Sequence, residues 1–145
     1  MHIPCCLLLA FATLGADSDD AVKNERKALA GGWSVVSAER DGLPILDGEA
    51  RKLRIYFGEE RLTLKQGEKG KEMSYVPHPD TKPRSIDLMA TDGPFKDKLM
   101  PGIYELKGDN LKICYPFKEG ATRPTEFSTS KDSGLLLLVL KKEKP

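Results

Sequence analysis

Histidine, cysteine and tryptophan are scarce in this chain of 145 residues, with counts of two, three and one, and the scarcity excludes much chemistry. His2 lies in the apolar opening of the chain and only His78 falls in its body, so no second imidazole joins it in a metal site or proton relay. Cys5 and Cys6 also belong to the opening segment, which leaves Cys114 without a partner for an internal disulfide. Nothing resembles a nucleophile elbow. Neither sign of charge dominates: 23 basic residues face 22 acidic ones, leaving no excess field to hold a nucleic-acid backbone or an anionic membrane surface. No apolar run reaches the roughly 20 residues of a spanning helix, which argues against a permanent membrane anchor. The sequence therefore predicts no catalytic residues, no metal ligands, no cofactor and no nucleic-acid partner.

What is present begins with a leader. Residues 5 to 14 are apolar and uncharged, and they end in Gly15-Ala16 before the acidic Asp17-Ser18-Asp19-Asp20. This resembles a secretory signal peptide over residues 1–16, although its first residues carry His2 and no Lys or Arg. Cys5 and Cys6 stand at the start of the apolar run, where they are poorly placed for lipid modification. The expected location is secreted or periplasmic. The remainder is long enough to form one domain burying about two thirds of its unfolded surface.

Residues 17–30 read as a short helix and lead-in, capped by Asp19 or Asp20, with Ala21, Val22, Leu29 and Ala30 on one face and Gly31-Gly32 ending it. Residues 31–145 read as strands. Trp33 to Arg40 is strand-like and stops at Asp41-Gly42. Leu53, Ile55 and Phe57 alternate with polar neighbours, and after Gly58-Glu59-Glu60 the pattern resumes with Leu62 and Leu64, as in a hairpin with one wet face. A turn at Gly67 to Gly70 leads to Met73 and Tyr75, after which the Pro77 to Pro83 segment breaks regularity. Ile86, Leu88 and Ala90 alternate around Asp87, and a loop is expected between Asp92 and Gly102. Ile103 to Leu106 and Leu111 to Tyr115 flank the tight-turn residues Gly108-Asp109-Asn110. Leu111, Ile113 and Tyr115 share a face, and Cys114 falls opposite, in a structural or exposed role. Thr125 to Phe127 and Leu135 to Leu140 come last. The latter is too continuously apolar for a half-wet strand, and the N-terminal helix is the expected cover for its second face.

The fold class that follows is all-β: an antiparallel barrel of roughly eight strands with a short N-terminal helix, its interior just filled by side chains or able to take one small ligand. From Gly31-Gly32-Trp33 with Asp41-Gly42, through Pro83 to Asp87, Gly102 to Leu106 with Leu111 to Cys114, and Arg123 to Phe127, the ordered motifs resemble a lipocalin-like domain family of planctomycete bacteria. The resemblance covers most of the chain after the leader. It implies a small secreted barrel and no established activity. Lipocalins pair the Gly-x-Trp indole with a basic residue on a late strand, and by that analogy Arg123 is the expected partner of Trp33, with Lys141 as a rival and Gly32 as the third structural residue.

The candidate ligand-facing set is Leu53, Ile55, Phe57, Leu62, Leu64, Ile86, Leu88, Tyr104, Ile113 and Tyr115, joined on the inward face by Leu111. Asp87 reads as an outward strand residue, with a ligand-facing acid as the alternative. Tyr104 and Glu105 belong either to packing or to a pocket mouth, and Lys141 to Lys144 is a solvated charge run. Two functions remain open: a non-enzymatic module holding a small apolar ligand, or a filled barrel that contacts an envelope or secreted protein through the loops Val76 to Arg84 and Thr91 to Pro101. Oligomeric state is not encoded in any visible pattern. The leader makes a direct prediction: mass spectrometry of protein from the native host finds a new N-terminus near Asp17, and a cytoplasmic species with intact Met1 would refute export.

Overall fold

One antiparallel sheet bends round until its first long strand meets its last. The computed structural model describes residues 13–94, 96–118 and 120–144. In chain order these form α1 (Thr13–Leu29), β1 (Gly31–Arg40), β2 (Leu43–Pro44), α2 (Asp47–Ala50), β3 (Leu53–Phe57), β4 (Arg61–Gln66), β5 (Lys69–His78), β6 (Arg84–Ala90), β7 (Leu99–Lys107), β8 (Asn110–Pro116) and β9 (Leu135–Lys142). The strand order is β2-β1-β3-β4-β5-β6-β7-β8-β9, and an additional β1–β9 pairing closes the ring. Apart from the two-residue β2, eight strands make a closed, lipocalin-like β-barrel.

β1 holds the closure because it serves two long neighbours. Gly31 to Ser34 pair with β3, while Trp33 to Arg40 pair with β9 across a register shift between Val35 and Ser37. The extra residue at this bulge turns the inward set from Trp33 and Val35 to Ala38, and pushes Val36 outward to 55% exposure. Gly32 has a packing reason of its own. A Cβ there would lie 3.0 Å from the Tyr56 ring and 2.9 Å from the Glu143 carboxylate, so both side chains would have to shift to admit one.

The helix closes one end. Leu29, its last residue, is completely buried, and its carbonyl, which the helix leaves unsatisfied, accepts a 2.8 Å bond from Trp33 Nε1. Arg26 donates to the Glu59 carbonyl and stacks on Tyr75, whose hydroxyl donates to the Gly58 carbonyl at 2.6 Å. Glu25 accepts from the Tyr104 hydroxyl at 2.7 Å and from Arg84 at 3.0 Å. A helix turn, two strand ends and the β3–β4 turn are thus tied into one lid. Below it Trp33, Phe57, Leu62, Tyr75, Ile86, Leu88, Tyr104, Leu111, Ile113, Leu138 and Leu140 form the packed core, with the Phe57 and Tyr75 rings edge to face.

Several sequence expectations are corrected here. The helix begins at Thr13, ahead of the expected Asp19 or Asp20 cap, which places both aspartates inside the helix. The expected leader lies mostly outside the described residues. β5 runs on through Pro77 to His78, where Pro77 opposes Ile86, and β7 already begins at Leu99, so Met100-Pro101-Gly102 is strand and not loop. Thr125 to Phe127 is irregular chain. The helix does not cover the outer face of β9; residues 120–134 run over the outside instead, with Thr129 Oγ1 donating to Glu39 at 2.6 Å and accepting from Gly42 N at 2.8 Å. Gly42 must be glycine for this: its φ is +83°, and a Cβ would lie 3.0 Å from the Lys131 backbone nitrogen.

Trp33→Ala is expected to cost about 3–5 kcal/mol through the cavity it leaves, with the orphaned Leu29 carbonyl adding to the loss. Urea unfolding followed by far-ultraviolet circular dichroism checks this, and a loss below about 1 kcal/mol would contradict the lid geometry.

Candidate functional site

The end opposite α1 is built differently. There β1 finishes at Arg40, α2 and the segment before it cross the opening, and β8 runs out into Phe117. A cavity of about 310 Å³ opens at this mouth, lined by Arg40, Ile45, Glu49, Leu53, Leu64, Gln66, Phe117, Leu136 and Leu138. Its floor is apolar because Leu53, Leu64, Leu136 and Leu138 are the alternate, inward residues of β3, β4 and β9, with Leu53 in the terminal β3–β4 pair opposite Gln66 and Leu64 two pairs further in, opposite Ile55. Its rim is polar. The Arg40 guanidinium lies over the Phe117 ring, 4.1 Å from the centroid, and Lys118 Nζ is 5.8 Å from the same centroid. Glu49 faces Lys52 Nζ at 3.5 Å.

Of the ten residues expected to face a ligand, Leu53 and Leu64 line this cavity. Ile55, Phe57, Leu62, Ile86, Leu88, Tyr104, Ile113 and Tyr115 point inward as expected but are buried against one another in the core. Tyr104 is further engaged by Glu25 at the lid, where burial first and the adjacent carboxylate second raise its pKa. Burial pushes the Tyr115 phenol up to about 12 against the pull of Arg40, so it stays protonated at neutral pH. Leu136 and Leu138 were legible only as part of an apolar run. Arg40, Ile45, Glu49, Gln66 and Phe117 carried no local signal, since long-range register brings them together.

The pairing of Arg123 with Trp33 is overturned. Lys142 Nζ lies over the indole at 5.6 Å, because β9 passes beside Trp33 in register with Lys142. Lys141, the rival, pairs with Ser34 and points away. Arg123 instead sits on the barrel's outer wall, donating to the Gly102 carbonyl at 2.8 Å and to Asp87 Oδ1 at 2.6 Å. His78 Nε2 lies 2.9 Å from the other oxygen, Asp87 Oδ2. Asp87 is thus an outward residue, as read from the alternation. Partial burial disfavours its charge, but the bonds from Arg123 and His78 outweigh burial and hold the carboxyl below its usual range.

This clamp pins residues 120–134 over a small outer cluster of Ser85, Ile103 and Cys114, which are neighbours across β6, β7 and β8. Cys114 is completely buried and so not exposed; its thiol donates to the Ser128 carbonyl at 3.8 Å, and burial pushes its pKa up to about 11. A thiol so protonated is a poor nucleophile at neutral pH. Among the described residues, no group of three or more His, Cys, Asp or Glu side chains gathers as a metal site, and no helix is long and apolar enough to cross a membrane. A larger hollow, of about 630 Å³, lies between α1 and the β3–β4 turn, where Val22 and Ala30 meet the charged side chains of Lys23, Arg26, Lys27, Glu59 and Glu60.

No family model, curated protein or solved structure matches the chain significantly. Its class is therefore defined by its own geometry: a lipocalin-like barrel, closed by a helix at one end and apolar at the other.

The outer clamp predicts an acid-sensitive contribution to stability. A carboxyl with a lowered folded pKa contributes fully above the unfolded value of about 3.9, and that contribution is lost as pH falls through the folded value. Asp87→Asn should therefore destabilise by about 1 kcal/mol at pH 7, a figure kept small because the group is partly solvated, and the two proteins should unfold alike toward pH 2. Urea titrations read by Trp33 emission at stepped pH check both limbs.

Proposed function

We propose that the chain is a secreted, non-enzymatic binding module that takes a small apolar ligand into the open end of its barrel. The observation that carries this reading is the mouth cavity of about 310 Å³ with its leucine floor. Ligand sites run from about 300 Å³ upward, so the space suits a small molecule and is too short for a large one. The core beneath is filled, and the opposite end is tied shut by Trp33, Glu25 and Arg26. A ligand therefore has one way in. The ordered motifs that resemble the planctomycete lipocalin-like domain family support the same reading, as does the signal-peptide-like leader for export.

A second reading, contact with an envelope or secreted protein, draws on Leu43 and Leu46, which are 70% and 78% exposed in the segment leading to α2. Isolated apolar residues at a surface are ordinary, and two of them make a small patch. The leucine-lined cavity is the more specific feature.

Calorimetric titration with 1-octanol is expected to give saturable, one-to-one binding with half-saturation below about 1 mM, equivalent to some 4 kcal/mol. Leu64→Trp, which fills the floor of the mouth, should abolish it while Trp33 and the lid remain intact. No saturation with the native protein would leave the protein-contact reading in place.

A further inference from the structure

We infer that the mouth cavity selects ligands carrying an anionic head, with Arg40 as the residue that reads it; this deepens the apolar-ligand reading and rests on it. The guanidinium is positioned before any ligand arrives. Arg40 ends β1, where its backbone pairs with Leu43 on one side and Leu136 on the other. Its side chain then lies over Phe117, and Phe117 is itself fixed by a 2.9 Å bond from its nitrogen to the Gly134 carbonyl. With its central carbon held 4.1 Å from the ring centroid, the guanidinium is placed at the rim, and its N–H fork is the shape that matches a carboxylate.

The charges around it leave that fork available. Among the described residues Arg40 makes no ion pair, and neither does Lys118, although both cations lie within 6 Å of the same ring. Two like charges beside one ring repel, and an anion bound by Arg40 relieves the repulsion. The rim also holds Glu49, which opposes an anion, but Lys52 at 3.5 Å answers its charge. Arg40 and the leucines then divide the ligand between them, the head at the rim and the chain on Leu53, Leu64, Leu136 and Leu138. The occupant is a short amphipathic carboxylate.

The test compares octanoate with 1-octanol, which share a chain length and differ in the head. Native protein should bind octanoate about tenfold more tightly, the order expected for charge-assisted bonds at a half-solvated rim. Arg40→Gln should remove that preference, so that the variant binds octanoate and 1-octanol with equal affinity. Circular dichroism and Trp33 emission confirm that the variant folds, and Phe117→Leu, which frees the guanidinium from its platform, should lower octanoate affinity by a smaller factor. Equal affinity for the two compounds in the native protein, or a preference that survives Arg40→Gln, would overturn the inference and leave the cavity reading standing. Saturable binding of neither compound would overturn both.

Discussion

The pairing of β1 with β9 is the constraint on which the rest of the molecule depends. Without it the sheet would be an open ribbon with two long edges, and its apolar face would have no second layer to pack against. The bulge between Val35 and Ser37 makes the closure possible, because it lets one strand serve β3 over its first half and β9 over its length while changing which residues face inward. The site inherits its geometry from that choice. Arg40 reaches the rim only because β1 continues beyond the last residue it shares with β3, and Leu136 and Leu138 reach the floor only because β9 is held in register with it.

The two ends of the barrel show how one core can be sealed and open at once. At the helical end every large polar group meets a partner: the indole nitrogen meets the Leu29 carbonyl, the Tyr75 hydroxyl meets Gly58, and the Tyr104 hydroxyl meets Glu25. At the other end Ile45 and the short helix α2 cover part of the opening, and the leucines beyond them are only partly buried. Unsatisfied apolar surface beside a positioned cation is what a ligand can use. Surface already paired offers it nothing.

Period-two alternation made the barrel legible. Leu53 to Phe57, Ile86 to Ala90 and Leu111 to Tyr115 each show one apolar face, and each lies inward as read. The site was legible only in part, for a physical reason. Leu53 and Leu64 differ from Ile55 and Leu62 in burial, not in apolar character, so the sequence could say that they face inward but not that they stay partly open at the mouth. Prolines misled in two places, since Pro77 and Pro101 sit within β5 and β7 while local propensity reads them as breaks. Arg123 misled by analogy: its nearest partner is Asp87 on the outer wall, and only the wrap of residues 120–134 puts it there.

That closure also sets an order of events. β1 is made before the other strands and β9 after them, so the seam that completes the barrel joins parts of the chain roughly a hundred residues apart. Hairpins β3–β4, β4–β5 and β7–β8 can form from neighbours as they appear, whereas the seam must wait for the C-terminal strand and carries the largest loop-closure entropy in the fold. Until then the free edges of β1 and β8 stand open. The nascent chain is a sheet with its greasy face uncovered, and it closes into a barrel only as β9 arrives.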